Sequence, residues 1–142
     1  MTSEQLLAEA DHLLATEVPG TQARWPRACA WLIRLALEKA LDQYWAQVLP
    51  EAAQCGMRSQ LLLLPGYADP AIAERARDAW TGLSRAAHHH AYELAPTAAE
   101  LRSWLAAVSQ LSLDLAAQPV AATRDTPANQ AAGSKIESRV DH

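Results

Sequence analysis

Phenylalanine is absent from this 142-residue chain, and glycine and cysteine occur only five times and twice. β-Branched residues are also few, while alanine and leucine dominate, a bias that favours helix over strand. Two cysteines, Cys29 and Cys55, make no disulfide framework, and Cys29 lies in an apolar run where it reads as a small core residue. No stretch approaches the roughly 20 apolar residues of a membrane span, because Leu61-Leu62-Leu63-Leu64 is stopped by Pro65-Gly66. The opening residues Thr2, Ser3 and Glu4 are polar and acidic, unlike a secretory leader, so the expected compartment is the cytoplasm, with no membrane partner. A basic excess is missing as well: 12 lysines and arginines face 16 acidic residues, for a net charge of -4. That excludes a general nucleic-acid coat protein, which needs a basic face. The balance does not change without the last residues, since Arg124, Lys135 and Arg139 leave together with Asp125, Glu137 and Asp141. Contact with a polyanion has to be local.

The apolar pattern divides the chain into helices. Thr2 and Gln5 have capping-box spacing and open a first helix from about Ser3 to Thr16, with Leu6, Leu7, Ala10, Leu13 and Leu14 on one stripe. Pro19-Gly20 ends it. A longer second helix is expected from near Thr21 to about Leu49, with Pro26 tolerated in its opening turn. Apolar residues from Ala28 to Val48, Trp31, Leu37 and Trp45 among them, cover most of its circumference. Arg27, Arg34, Glu38 and Asp42 leave a narrow polar seam, with Arg34 and Glu38 at salt-bridge spacing. A helix so apolar is buried on more than one side. Either the other helices of the chain or a second subunit covers the surplus. A short helix from Met57 to Leu64 follows, closed by Pro65-Gly66, and Asp69-Pro70 caps a fourth. The fourth helix's stripe of Ile72, Ala76, Ala79, Trp80, Leu83 and Ala87 continues towards Ala91 and Leu94, until Pro96 breaks it. Thr97 and Glu100 form a second capping box, opening a helix with Leu101, Trp104, Leu105, Val108, Leu111 and Leu115 on one side. The five tryptophans are spread too widely for a base-stacking platform and are assigned chiefly to the core. From Gln118 the composition loses periodicity, so residues 118–142 are expected to be a disordered tail behind one helical domain over residues 1–117. The fold class is all-α, a four- to five-helix up-and-down bundle.

Chemistry concentrates in Arg85-Ala86-Ala87-His88-His89-His90-Ala91-Tyr92, which holds three of the five histidines. Arginine stays cationic at any working pH, while histidine changes charge near neutrality. One reading is a hydrogen-bonded surface or half-buried cluster with no catalysis; another stacks the histidines across a symmetry axis. A metal site is disfavoured. Consecutive helical residues point about 100° apart, so His88, His89 and His90 do not converge on one ion. No His pair at i, i+4 and no Cys-x-x-Cys spacing is present, and none of these three histidines stands in a Glu-x-x-His spacing. No metal or other cofactor is expected.

A further reading comes from a family resemblance. Arg85, four intervening residues and His90 match the arginine-histidine motif of HEPN domains, small helical modules of RNA-processing and defence systems in bacteria and eukaryotes. The stretch from Ala30 to Leu41, with its Leu37-Glu38-Lys39 step, is similar to the long second helix of that family, and the motif's place on the penultimate long helix fits too. The resemblance covers roughly residues 3 to 116. It implies a HEPN-like bundle and metal-independent RNA cleavage, with the ribose 2′-hydroxyl as nucleophile and a cyclic phosphate product. Arg85 would contact the scissile phosphate, and His90 would act as general base or acid. His89, His88 and Tyr92 are auxiliary candidates, in that order. The family also implies a homodimer whose two motifs line one cleft, an RNA substrate, and an antitoxin or nucleotidyltransferase as partner, as in a toxin or phage-defence effector.

Two features keep an alternative open. Ala86 stands where active family members carry Asn, Asp or His, and the domain is acidic. Both suit a catalytically silent HEPN-like dimerisation or adaptor domain that binds a partner protein or nucleotide; an unrelated helical scaffold is the third possibility. Geometry adds a requirement. On a continuous helix, residues five apart are offset by about 140°, so Arg85 neighbours His89 rather than His90. The Arg85-His90 pair therefore needs a helix break, expected near Gly82, or completion across a dimer. His90 falls seven residues after Leu83, which continues the buried stripe on an unbroken helix.

Overall fold

The computed structural model describes residues 1–16, 25–88 and 94–119, and among these it contains five α-helices and no strand. They are α1 (Ser3–Ala15), α2 (Trp25–Val48), α3 (Met57–Leu63), α4 (Pro70–Ala87) and α5 (Ala98–Ala117). Short 3-10 turns at Pro50–Gln54 and Leu64–Gly66 bracket α3. Local chemistry accounts for most of the helix starts. The Gln5 backbone N–H donates to Thr2 Oγ1 at 3.1 Å while Thr2 N–H donates to Gln5 Oε1 at 2.8 Å, completing the first capping box. Thr97 and Glu100 repeat this at α5, with distances of 3.1 and 3.4 Å. Asp69 accepts from Ala71 N–H at 2.8 Å, ahead of Pro70. Each cap satisfies donors that a helix leaves orphaned and stabilises by about 1 kcal/mol.

Cross-helix contacts set the topology. Ser3 Oγ donates to the Ala36 carbonyl at 2.9 Å and Cys29 Sγ to that of Ala10 at 3.6 Å, so α1 runs antiparallel to α2. Arg27 reaches Ala86 while Glu38 meets Trp80, which makes α4 antiparallel to α2. Arg75 pairs with Asp114, and Gly82 meets Trp104, so α5 is antiparallel to α4. Between the helices lies one core of Leu6, Leu14, Ile33, Leu37, Leu41, Trp45, Leu83, Leu101, Val108 and Leu111, all fully buried. Cys29 belongs to it, and burial pushes its thiol up to about 11, so it remains a neutral, apolar group near pH 7.

The surplus apolar surface of α2 is covered by α1, α4 and α5 of the same chain, so it gives no reason for a second subunit there. Among the large apolar residues of α2, Trp31 alone is exposed, at 52%. The tryptophans do belong chiefly to the core: Trp45 is fully buried, Trp25, Trp80 and Trp104 are half-buried against it, and Trp31 is the exception that lies outside. The fourth helix is shorter than its apolar stripe, ending at Ala87, and Leu94 is 96% exposed rather than part of that stripe. The start of α2 near Thr21, the Pro19-Gly20 stop and the tail beyond 119 lie outside the described residues.

Gly82 does not break α4. It lies inside the helix, where the Trp104 indole rests against its backbone. A Cβ added there would stand 2.4 Å from Trp104 Cζ2, closer than any carbon pair tolerates. Glycine to alanine in a helix interior ordinarily gains about 1 kcal/mol, whereas overpacking costs about 1–3 kcal/mol. Gly82→Ala is therefore expected to lower the melting temperature, and Trp104→Leu in the same chain to relieve most of the loss. A melting temperature raised by Gly82→Ala alone would show that Trp104 yields freely and that close approach is not the glycine's purpose.

Candidate functional site

The motif sits where α4 stops. His88 is the capping residue, with φ -79° and ψ 136°, and its N–H reaches back to the Ser84 carbonyl at 3.3 Å. The last carbonyls of a helix lack intrahelical partners and carry the negative end of its dipole. Arg27, from the first turn of α2, answers this need: Nη1 donates to the Ala86 carbonyl at 3.4 Å and to the His88 carbonyl. A cation at this end is favoured by the dipole as well as by the hydrogen bonds. The sequence presents Arg27 only as part of a polar seam. Its target lies some 60 residues away, beyond the reach of any local pattern.

Arg85 occupies the last turn of α4, exposed, with no hydrogen bond or ion pair among the described residues. It is an uncommitted guanidinium at a helix end. Ala86, by contrast, is half-buried and packed against the core, so a small residue follows Arg85 for reasons of packing. His88 is exposed beside the cap. His89, His90 and Tyr92 lie outside the described residues. The structure thus brings Arg85 and His88 to one end of one helix, with Arg27 from a second helix holding that end. The break inside the motif falls at His88 rather than near Gly82. The helix α4 is complete at Ala87, and His90, to which the offset of about 140° would apply, lies outside the described residues.

A seam of α2 against α4 leads away from the motif. Arg34 Nε lies 3.2 Å from Glu38 Oε1, and the same oxygen accepts from Trp80 Nε1 at 3.1 Å. The Arg34 guanidinium stands 5.7 Å from the centre of the Trp80 ring, a cation–π distance. Glu38 is thereby a structural partner and not a free acid, as its spacing from Arg34 implied. Ser84 Oγ, one turn on from Trp80, is buried without a hydrogen-bond partner. From residue 25 to 37 of α2 and from 79 to 88 of α4, the only formal charges are Arg27, Arg34 and Arg85. These two stretches are basic within a chain that is acidic overall.

Other regions carry less chemistry. A cleft of about 600 Å³ lies at the opposite end of the bundle, lined by Thr2, Glu4, Gln43, Tyr44, Gln47 and Leu113 among others. Its one charged side chain is Glu4, and it offers no acid–base pair. Arg58 is exposed on α3, whose Gln60 bonds to Asp42 in the second half of α2, so it is remote from the motif. Among the described residues no three His, Cys, Asp or Glu side chains group as metal ligands do, and no helix is long and apolar enough to cross a membrane. Arg27→Ala is expected to cost about 1–2 kcal/mol, in the range for hydrogen bonds made by a charged group, and to speed amide exchange at the end of α4. Arg27→Lys should recover part of this. Exchange unchanged at His88 would show that another group caps the helix. Comparison of the chain with protein-family models, with curated proteins and with solved structures gave no match.

Proposed function

We propose that the chain is a HEPN-like, metal-independent endoribonuclease in which Arg85 and His90 act on one phosphodiester. The observation that carries this reading is the exposed, unpaired Arg85 at a helix end that falls inside the motif. An arginine so placed offers forked donors to two phosphate oxygens without first breaking an ion pair. In the reaction, histidine takes the proton of the ribose 2′-hydroxyl and the 2′-oxygen attacks phosphorus. The bond to the 5′-oxygen breaks, and that oxygen receives a proton. The products are a 2′,3′-cyclic phosphate and a 5′-hydroxyl. Charge gathers on the non-bridging oxygens in the transition state, where Arg85 stabilises it. Histidine suits both proton transfers because it titrates near neutrality. A homodimer would place two such sites in one cleft, and an antitoxin or nucleotidyltransferase would control them, as in a toxin or phage-defence effector.

A second reading is a catalytically silent HEPN-like dimerisation or adaptor domain that binds a partner protein or nucleotide. The packing of Ala86 against the core favours it, because active members of the family place a polar side chain at that step. One experiment separates the two: cleavage of a fluorescent RNA in the presence of a chelator by wild type, Arg85→Ala and His90→Ala, each checked for native circular dichroism. Wild-type cleavage lost in both variants supports the ribonuclease. Equal behaviour of all three overturns it.

A further inference from the structure

Arg27 stands at the unfavourable end of its own helix. It is the third residue of α2, beside Pro26, whose missing N–H is tolerated in an opening turn. The positive end of the helix dipole lies there and disfavours a cation, and no acidic residue in that turn offsets it. The placement is favourable towards α4 instead, where Nη1 donates to the carbonyls of Ala86 and His88. A cation for that end is available locally, because Arg85 lies in the last turn of α4, and arginine there can bond the final carbonyls. Arg85 does not do so: it is exposed and makes no hydrogen bond or ion pair among the described residues. The cap comes from 59 residues away along the chain, and the arginine of the motif is left uncommitted.

We infer that Arg27 is a positioning residue of the Arg85-His90 site, holding the backbone so that both side chains meet one phosphate. The two carbonyls that it bridges belong to different conformations. Ala86 is helical, whereas His88, with φ -79° and ψ 136°, is the first extended residue beyond α4. One guanidinium nitrogen shared between them fixes the angle at which the chain leaves the helix, immediately after Arg85 and two residues before His90. Ala86 offers only a methyl group, half-buried against the core, so no polar atom of its own side chain holds this step. Without Arg27 the two carbonyls lose this donor, and Arg85 is a cation able to turn back to them. Its guanidinium would then leave the phosphate, and the direction of the chain towards His90 would no longer be set. Arg27 acts on the reaction through the motif and not by touching the substrate. This deepens the ribonuclease reading and rests on it for the reaction, while the hold on the motif is measurable without cleavage.

The test uses the full chain and steady-state cleavage of a fluorescent RNA, with every variant checked for native circular dichroism at the assay temperature. Arg27→Ala should lower kcat roughly 10- to 100-fold, the scale of a misplacement of about 1 Å, and leave KM unchanged. Arg27→Lys, which keeps the charge but loses the planar fork, should fall between alanine and wild type. Thr2→Ala is the control: it removes the cap of α1 at the opposite end of the bundle, a comparable loss of stability, and should keep the wild-type kcat. Amide exchange gives a readout that needs no activity. Arg27→Ala should speed it at His88 about 10-fold more than Thr2→Ala does, the size expected for one hydrogen bond from a charged group. Arg27→Ala with the wild-type kcat, an equal loss of kcat in Thr2→Ala, or a raised KM with kcat unchanged would each overturn the inference, the last by assigning Arg27 to substrate contact. The two readings fail separately. No cleavage by wild type, with exchange at His88 raised in Arg27→Ala, removes the ribonuclease and keeps Arg27 as the hold on the motif. Cleavage lost in Arg85→Ala but intact in Arg27→Ala removes the inference and keeps the ribonuclease.

Discussion

Arg85→Ala and His90→Ala are each expected to lower RNA cleavage by roughly 10²- to 10⁴-fold while leaving the fold in place. For His90 the figure follows from losing a general acid–base group, which contributes about 10²- to 10⁴-fold. For Arg85 it follows from losing a charged donor aimed at the non-bridging oxygens, typically about 10²- to 10³-fold. Stability does not confuse the outcome at Arg85. That residue is exposed and makes no bond among the described residues, so its removal should change folding by no more than about 0.5 kcal/mol. Arg85→Lys discriminates further, since it keeps the charge but loses the planar fork, and activity between wild type and alanine is expected. If the two residues act on one phosphate as a unit, Arg85→Ala with His90→Ala in one chain should be little worse than the poorer single variant. Strictly multiplicative losses would instead assign them to independent steps. Chelation should leave cleavage unchanged, and a requirement for added divalent cation would sink the mechanism.

How far the molecule can be read from its sequence depends on the reach of each interaction. Thr2 with Gln5 and Thr97 with Glu100 close their boxes within one turn, so spacing alone locates both helix starts. The Arg34–Glu38 pair is likewise a matter of one turn. The end of α4 is different. Periodicity runs on past Ala87, yet the helix stops there, and its cap comes from Arg27 on another helix. Gly82 invites a break until Trp104 is seen filling the space that its missing side chain leaves. Periodicity identifies α2 as apolar nearly all round, but it is the placement of α1, α4 and α5 that decides which residue stays outside, and that residue is Trp31. The motif itself is visible as residues; its setting at a helix end is tertiary. The Pro50–Gln54 turn escaped because five residues carry no period to detect.

Trp45→Ala should be the most destabilising single change within the core, at about 3–5 kcal/mol, the usual cost of truncating a buried aromatic. Its indole is fully buried, edge-on to the rings of Tyr44 and Tyr67 at centroid distances of 5.2 and 5.3 Å, and so joins α2 to the segment that leads into α4. A domain of this size holds about 5–15 kcal/mol in total, so the variant should melt at least about 10 °C lower by the usual dependence on domain size. Trp45 also carries an internal penalty, because its Nε1 is buried without a hydrogen-bond partner. An orphaned donor costs about 1–3 kcal/mol, and Trp45→Phe removes it together with part of the ring. That variant should therefore lose far less stability than alanine does. Equal losses for phenylalanine and alanine would show that the indole nitrogen is satisfied and that packing volume alone matters. Trp45 lies in the half of α2 away from Arg27, so the fraction of Trp45→Phe that remains folded should cleave RNA at the wild-type rate. Activity falling faster than the folded fraction would instead couple this core to the end of α4, through α2, which touches both.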